Sequence, residues 1–112
     1  MKIYISIPIS GWPIDEQQVK AAEIAQKINA LGHEPVNPFD TPEPPEKLPD
    51  KERYAYFIGE DIKRLMLCDA ILLCEWWHTS RGCCADLCIA RTYGMVEFPT
   101  LRALYRYTRM GK

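Results

Sequence analysis

The sequence predicts an α/β domain in which helices cover both faces of a parallel sheet. Strand-like and helix-like segments alternate along the 112 residues, which is the pattern of parallel strands joined by crossover helices. Residues 69–76 include a continuous apolar run of strand length, as expected of a central parallel strand. The length suits one domain with one core, so residues 1–112 are predicted to form a single unit.

The first half of the chain begins with a predicted strand over residues 2–8, in which side chains alternate between the two faces. Three isoleucines point to one face, and Tyr4 and Ser6 point to the other. Asp15 is placed to cap the first helix, and Gly32 ends it in the usual position of a left-handed residue. The apolar stripe predicted for this helix consists of Val19, Ala22, Ile24, Ala25, Ile28 and Leu31.

The remaining elements continue the alternation. They are a short strand at 33–37, a loop at 38–50, a helix at 51–68, a strand at 69–76, a helix at 79–94, a strand at 95–98, and a last helix at 100–109 with Pro99 in its first turn. The loop is rich in proline and acidic residues and is predicted to contain no regular element. It is either a functional lid or a solvated connection.

Composition excludes several classes of function. The net charge of −1 gives no basic surface for polymeric nucleic acid. No apolar run is long enough to cross a membrane, and the apolar start lacks a signal-peptide cleavage site, so a cytoplasmic location is expected.

The five cysteines are predicted to be reduced, small apolar fillers, because an odd count without a secretion signal argues against disulfides. Cys84 and Cys88 lie one helical turn apart near His78, but this spacing fits no familiar metal site. Neither a metal nor another cofactor is expected.

Ligands of open parallel sheets bind beyond the carboxyl ends of the strands. The segments 8–12, 38–50 and 75–82 fall there and are expected to converge on one cleft. Ser80 can cap the helix that follows, and Gly82 leaves its first turn open to an anion.

Asp86 lies four residues after Gly82, so its side chain should project toward the cleft. It is a candidate nucleophile or general base; otherwise it is an acid favoured by the helix dipole. Of the two tryptophans at 76 and 77, one is expected to contact a ligand and the other to pack. His78 has no carboxylate spaced to orient it and is expected to be a bystander.

Two further acids have structural alternatives. Asp61 lies within the second helix and is either functional or a solvated residue paired with Arg64 or Arg53. Asp69 starts the third strand at the end opposite the expected site, where it is predicted to cap or turn the junction.

Several segments in order resemble the nucleoside 2-deoxyribosyltransferase-like superfamily, and within it the small phage and mobile-element proteins of the DUF4406 group. They are "IYISIPISG", "EPVNPFD", "DIKRLMLCDAILL" and "WHTSRGCCADLCIARTYG". The resemblance covers residues 2 to about 97. It implies a flavodoxin-like, doubly wound three-layer α/β/α domain with a parallel sheet of four to five strands.

The resemblance also implies roles for individual residues. Active members cleave the N-glycosidic bond of 2′-deoxynucleosides or their 5′-monophosphates with a glutamate nucleophile, and Asp86 occupies that position here. Tyr4 matches a tyrosine that supports the nucleophile, and Asp61 matches an aspartate that holds or protonates the leaving base. The residues matched to sugar, phosphate or base binding are Pro8, Ser10, Gly11, Trp77, Ser80 and Gly82.

Three functions remain open from the sequence. The first is a deoxyribosyl transferase or N-hydrolase for a deoxynucleoside or its monophosphate. The second is a nucleotide-binding module without catalysis, which the aspartate in place of glutamate favours. The third is a protein-interaction domain that uses the two tryptophans and the aromatic segment at 103–109. The resemblance further implies a homo-oligomer.

Overall fold

The computed structural model describes residues 1–111, and its elements follow the predicted alternation. The strands are β1 (Lys2–Ser6), β2 (Glu34–Val36), β3 (Ala70–Leu73) and β4 (Val96–Phe98). The helices are α1 (Ile14–Ala30), α2 (Asp50–Met66), α3 (Arg81–Thr92) and α4 (Leu101–Met110). Short 3₁₀ turns occupy Pro38–Asp40 and Trp77–Thr79.

The four strands form one parallel sheet in the order β2-β1-β3-β4. The doubly wound, flavodoxin-like fold class is therefore confirmed, with four strands among the described residues. The chain changes direction across the sheet between β1 and β3, where Tyr4 pairs with Ile71 and Ser6 with Leu73. In folds of this order, that switch point is where a crevice for ligands opens.

The sheet separates two cores, and the alternation along β1 assigns its side chains to them. Ile3, Ile5 and Ile7 pack in the core that is covered by α1 and α4. Tyr4 packs on the other face, in the core that is covered by α2 and α3. The predicted division of β1 is therefore confirmed. Because the strands are buried on both faces, they require apolar side chains in both directions.

The apolar stripe predicted for α1 is wrong in part. Val19 is 57% exposed and Ala22 is exposed, whereas Ile28 is buried and Ile24, Ala25 and Leu31 pack against the core as predicted. The other buried residues of the helix, Gln17 and Ala21, were not in the predicted stripe. At the start of the helix the Gln17 side chain turns inward, where its Nε2 donates a 2.6 Å hydrogen bond to the Pro8 carbonyl. A polar residue thus occupies a position that the apolar pattern assigned to solvent.

The predicted helix ends are confirmed at some positions and wrong at others. Ser80 caps α3, and Gly32 follows α1 with a φ of +86°, as expected. Asp15 lies within the first turn of α1, and the capping position is Pro13, so the predicted cap is wrong. Pro99 precedes the last helix, because Thr100 is the residue that caps it.

The proline-rich loop contains one regular turn that was not predicted. Pro38–Asp40 form a 3₁₀ turn because the Asn37 side chain accepts a hydrogen bond from the Phe39 amide. The loop then runs without helix or strand to Asp50. Its first polar residue after the turn, Thr41, contacts α2 at the candidate site.

The cysteine prediction holds for three of the five residues. Cys68, Cys74 and Cys83 are buried and unbonded to one another, as fillers should be. Cys84 and Cys88 are exposed, so the prediction that they fill the core is wrong. They occupy the outward side of α3, opposite the side that carries Cys83 and Leu87 into the protein.

Within residues 1–111, none of the helices has both the length and the apolar character that crossing a bilayer would require. The same residues contain no group of three or more His, Cys, Asp or Glu side chains arranged to hold a metal ion.

Candidate active site

Asp86 lies on α3 and faces the end of β1. Ser6 Oγ donates a hydrogen bond to Asp86 Oδ2 over 3.0 Å. Burial raises the pKa of the Asp86 carboxyl to about 7, and the negative charge of Asp61 adds to this effect, although the bond from Ser6 opposes it. The carboxyl therefore exchanges its proton near neutral pH, as catalytic carboxyl groups often do.

Tyr4 and Ser6 lie on the same face of β1, and both are buried. Burial raises the pKa of the Tyr4 phenol well above its ordinary value, and the nearby charges of Asp86 and Asp61 raise it further. Tyr4 therefore stays protonated. The hydroxyl group that bonds Asp86 belongs to Ser6, while Tyr4 lies close enough to sense both carboxylates.

Asp61 is placed on the buried side of α2, beside the start of the proline-rich loop. Thr41 Oγ1 donates to Asp61 Oδ1 over 2.9 Å and accepts a 2.6 Å hydrogen bond from Arg64. Burial raises the pKa of Asp61, and the bond from Thr41 and the charge of Arg64 counteract that rise. Asp61 is thus joined to Arg64 through Thr41, whereas Arg53 pairs with Glu43.

The start of α3 offers backbone donors beside these carboxyl groups. Ser80 Oγ accepts the Cys83 amide over 3.2 Å, which fixes the first turn. A Cβ atom built on Gly82 would meet only Ser80 Oγ, at 3.8 Å, an ordinary contact distance. Folding therefore does not require glycine at this position, and the absent side chain leaves room at the end of the helix where anions bind.

The other residues matched to substrate binding occupy different environments. Pro8 is buried, whereas Ser10 and Gly11 are exposed in the loop after β1, with a Gly11 φ of +83°. Trp77 is partly buried and packs against the core of α2 and α3. Trp76 is 50% exposed and lines a cleft on the opposite face of the sheet, so the two rings are divided between the two faces.

Two further residues considered from the sequence have contacts of their own. Asp69 accepts a 2.8 Å hydrogen bond from the Lys2 amide at the far end of β1, so it holds the junction as predicted. His78 is exposed, and its ring lies near those of Trp76 and Trp77.

Sequence reasoning did not select Ser6, Thr41 or Arg64 as site residues. The signal for Ser6 was present, because alternation along β1 places it on the same face as Tyr4. Thr41 could not be found in this way, because an irregular loop has no period that predicts which way a side chain points.

Residues 1–97 match the family described as a domain of unknown function, DUF4406, and the chain belongs to that family. Its fold is similar to that of a 2-deoxyribosyltransferase from the psychrotolerant bacterium Bacillus psychrosaccharolyticus, with a TM-score of 0.66 and 20% identity. The similarity covers 89% of this chain and 74% of that one. No curated protein matches the sequence. The resemblance inferred from the sequence is thus confirmed for the family and for the fold.

Proposed function

We propose that the protein cleaves the N-glycosidic bond of a 2′-deoxynucleoside or its 5′-monophosphate, and either transfers the sugar or hydrolyses it. The observation that carries the proposal is the Asp86 carboxyl, partly buried at the switch point, bonded to Ser6 and with a pKa near 7. The 2-deoxyribosyltransferase with a similar fold adds support, since that enzyme is described as a biocatalyst for the synthesis of nucleosides.

In the proposed reaction, ionised Asp86 attacks the anomeric carbon of the sugar. Oδ2 is held by Ser6, which leaves Oδ1 for the attack. The bond to the base breaks, and its electron pair stays on the base nitrogen, which takes a proton from Asp61 in its protonated form. Burial, which raises the pKa of Asp61, favours that form. Attack by water or by a second base then breaks the ester to Asp86, and the proton released from that attacker restores Asp61.

The remaining residues hold the substrate in this proposal. The helix start at Ser80 and Gly82 and the loop residues Pro8, Ser10 and Gly11 surround the sugar and any phosphate. Trp77 contributes an aromatic wall, and neutral Tyr4, which lies close to both carboxyl groups, helps to position Asp86. The neutral Tyr4 adds no charge to the two carboxyl groups that it adjoins. A homo-oligomer remains part of the proposal, and sedimentation analysis would test it.

The second candidate is a binding module that recognises the same ligand without cleaving it. Its support is that the side chain of Asp86 is shorter than the glutamate of active family members. In addition, the Asp86 carboxylate is bonded to a Ser6 hydroxyl that is itself fully buried in the strand. Misplacement of a reacting atom by roughly 1 Å can cost about a hundredfold in rate.

The test is chromatographic detection of free base after incubation with the four deoxynucleosides and their 5′-monophosphates. The proposal predicts base release, and a new nucleoside after addition of a second base would identify transfer. Calorimetric binding without release would support the binding module. Release by Asp86→Glu alone would show that the site retains its architecture and lacks only the reach of its carboxylate.

A further inference from the structure

The hydroxyl group of Thr41, at the start of the proline-rich loop, has three polar neighbours. Its Oγ1 lies 2.6 Å from a guanidinium nitrogen of Arg64, 2.9 Å from Asp61 Oδ1 and 2.9 Å from the Pro38 carbonyl oxygen. The guanidinium can only donate and the carbonyl can only accept, whereas a hydroxyl has one proton and two lone pairs. Because that single proton makes a full hydrogen bond to only one acceptor, Asp61 and Pro38 are alternative partners for it.

The protonation of Asp61 decides which of two arrangements the hydroxyl group takes. When Asp61 is ionised, Thr41 donates to Oδ1, and the Pro38 carbonyl is left without the hydroxyl proton. When Oδ1 carries a proton, the carboxyl group donates to Thr41, and the hydroxyl proton turns to the Pro38 carbonyl. Arg64 donates to Oγ1 in both arrangements. The protonated form therefore makes all three contacts hydrogen bonds, and the change requires only rotation of the hydroxyl.

The Pro38 carbonyl belongs to the 3₁₀ turn Pro38–Asp40, with which the proline-rich loop begins. It also accepts the backbone amide of Thr41, but over 3.4 Å, which is long for a bond of this kind. The hydroxyl at 2.9 Å is thus the closer of its two donors. When the hydroxyl turns to Asp61, this turn loses its closer tie, so the start of the loop responds to the charge on Asp61.

Charged and titratable groups from three elements face Asp61. Burial raises its pKa, and on α2 the charge of Glu60 acts in the same direction while that of Arg64 acts against it. Tyr4 on β1 and Asp86 on α3 both lie close enough for the charge of Asp61 to raise their pKa values. Within residues 1–111, Asp61 forms no direct ion pair, so the side chain that bonds its carboxyl group comes from the loop.

We propose that Thr41 is a positioning residue that holds Asp61 in both of its protonation states, by turning its hydroxyl between Asp61 and the Pro38 carbonyl. This role rests on the proposed function, in which Asp61 gives a proton to the leaving base and regains one from the attacker. A group that only donates would repel the proton on Oδ1, and a group that only accepts would repel the ionised carboxylate. The hydroxyl suits both states and keeps its own proton, so no proton passes through Thr41.

The ¹³C signal of the Pro38 carbonyl, read through the Phe39 amide in a triple-resonance NMR spectrum, reports whether this carbonyl accepts the hydroxyl proton. In the native protein the signal should move to higher field as the pH rises, with the same midpoint as the side-chain carboxyl signal of Asp61. Asp61→Asn should abolish the movement, which separates the effect of Asp61 from that of Asp86. A Pro38 signal that stays constant while Asp61 titrates would overturn the proposal.

Variants of Thr41 show whether the hydroxyl carries the coupling between Asp61 and Pro38. Thr41→Val keeps the shape of the side chain and should abolish the coupling, and Thr41→Ser should retain it. Thr92→Val is the matched control, since this exposed threonine also donates to a carbonyl, and it should leave the coupling intact. Movement of the Pro38 signal that persists in Thr41→Val would be a direct effect of charge, and it would refute the switch.

Base release provides a second readout for the same variants. Thr41→Val should lower the rate about tenfold or more, because Asp61 loses the group that holds it, and Thr41→Ser should restore most of the rate. Thr92→Val should release base at the native rate. Native rates in Thr41→Val would contradict a positioning role. Coupling of Pro38 to Asp61 in a protein that releases no base would support the hydroxyl switch and reject the proposed function, so the two failures are distinguishable.

Discussion

Among single residues, Asp86 has a pKa that burial and a hydrogen bond shift in opposite directions. Burial raises its pKa, and the Ser6 hydroxyl lowers it by bonding the ionised form. Ser6→Ala should therefore move the pKa of Asp86 further above 7. A ¹³C NMR titration of the aspartate carboxyl groups, assigned with Asp86→Asn, measures the shift. A pKa that falls or stays the same in Ser6→Ala would contradict the assigned role of this bond.

The raised pKa of Asp86 also predicts how stability depends on pH. The folded carboxyl has a pKa of about 7 and the unfolded one of 3.8, so between these values the folded state binds more protons. The free energy of unfolding should therefore fall as the pH rises from 4 to 7. The full difference of about three pKa units corresponds to about 4 kcal/mol, an upper value for a group that keeps some contact with solvent.

Above pH 7 the folded protein must bury an ionised carboxylate, which costs stability. Asp86→Asn removes that charge, so it should stabilise the protein more at pH 8 than at pH 5. Urea unfolding at the two pH values measures the difference, and Asp50→Asn at the exposed start of α2 serves as the control. An identical effect of Asp86→Asn at both pH values would show that the carboxyl titrates normally.

Gly82 provides a test that separates ligand binding from folding. Because an added Cβ would meet nothing closer than Ser80 Oγ, Gly82→Ala should change the free energy of unfolding by less than about 1 kcal/mol. The methyl group would occupy the space reserved for the ligand, so affinity for a deoxynucleoside monophosphate should fall about tenfold or more. Calorimetry measures the affinity, and unchanged binding with normal stability would exclude a ligand from the start of α3.

At the scale of elements, two helices that carry the same kind of cap lie on opposite faces of the sheet. Ser80 accepts the Cys83 amide in α3, and Thr100 accepts the Ala103 amide in α4. Replacement of either residue by alanine should lower the free energy of unfolding by about 1 kcal/mol. Only Ser80→Ala should also lower base release, because α3 contributes to the candidate site and α4 does not. Equal losses of activity in the two variants would indicate that stability alone is responsible.

The pattern of apolar residues was sufficient to predict the buried strands but not the buried face of α1. The alternation along β1 and the apolar run of β3 identified buried strands, because a parallel sheet requires apolar residues on both faces. The stripe of α1 was misjudged because the pattern counts only apolar residues. The buried amide of Gln17 is satisfied at its nitrogen by the Pro8 carbonyl, a contact between distant elements that a helical period cannot reveal.

For the whole molecule, the fold could be predicted because the order of elements allows few arrangements. Parallel strands joined by right-handed crossovers bring the ends of β1 and β3 together, and this brought Tyr4 and Asp86 to one face. The partners of the carboxyl groups depend on packing across the molecule. Ser6 is separated from Asp86 by 80 residues, and Thr41 is separated from Asp61 by 20.

In the proposed function, Asp86 performs the chemistry of glycosidic-bond cleavage. The most direct test compares the rate of base release by the native protein with that of Asp86→Asn, which keeps the shape of the side chain and removes its charge. Cys84→Ala, at an exposed position on the same helix, controls for general effects on α3. We expect the rate of base release to fall at least about a thousandfold in Asp86→Asn and to stay unchanged in Cys84→Ala. Base release by Asp86→Asn at the native rate would contradict it.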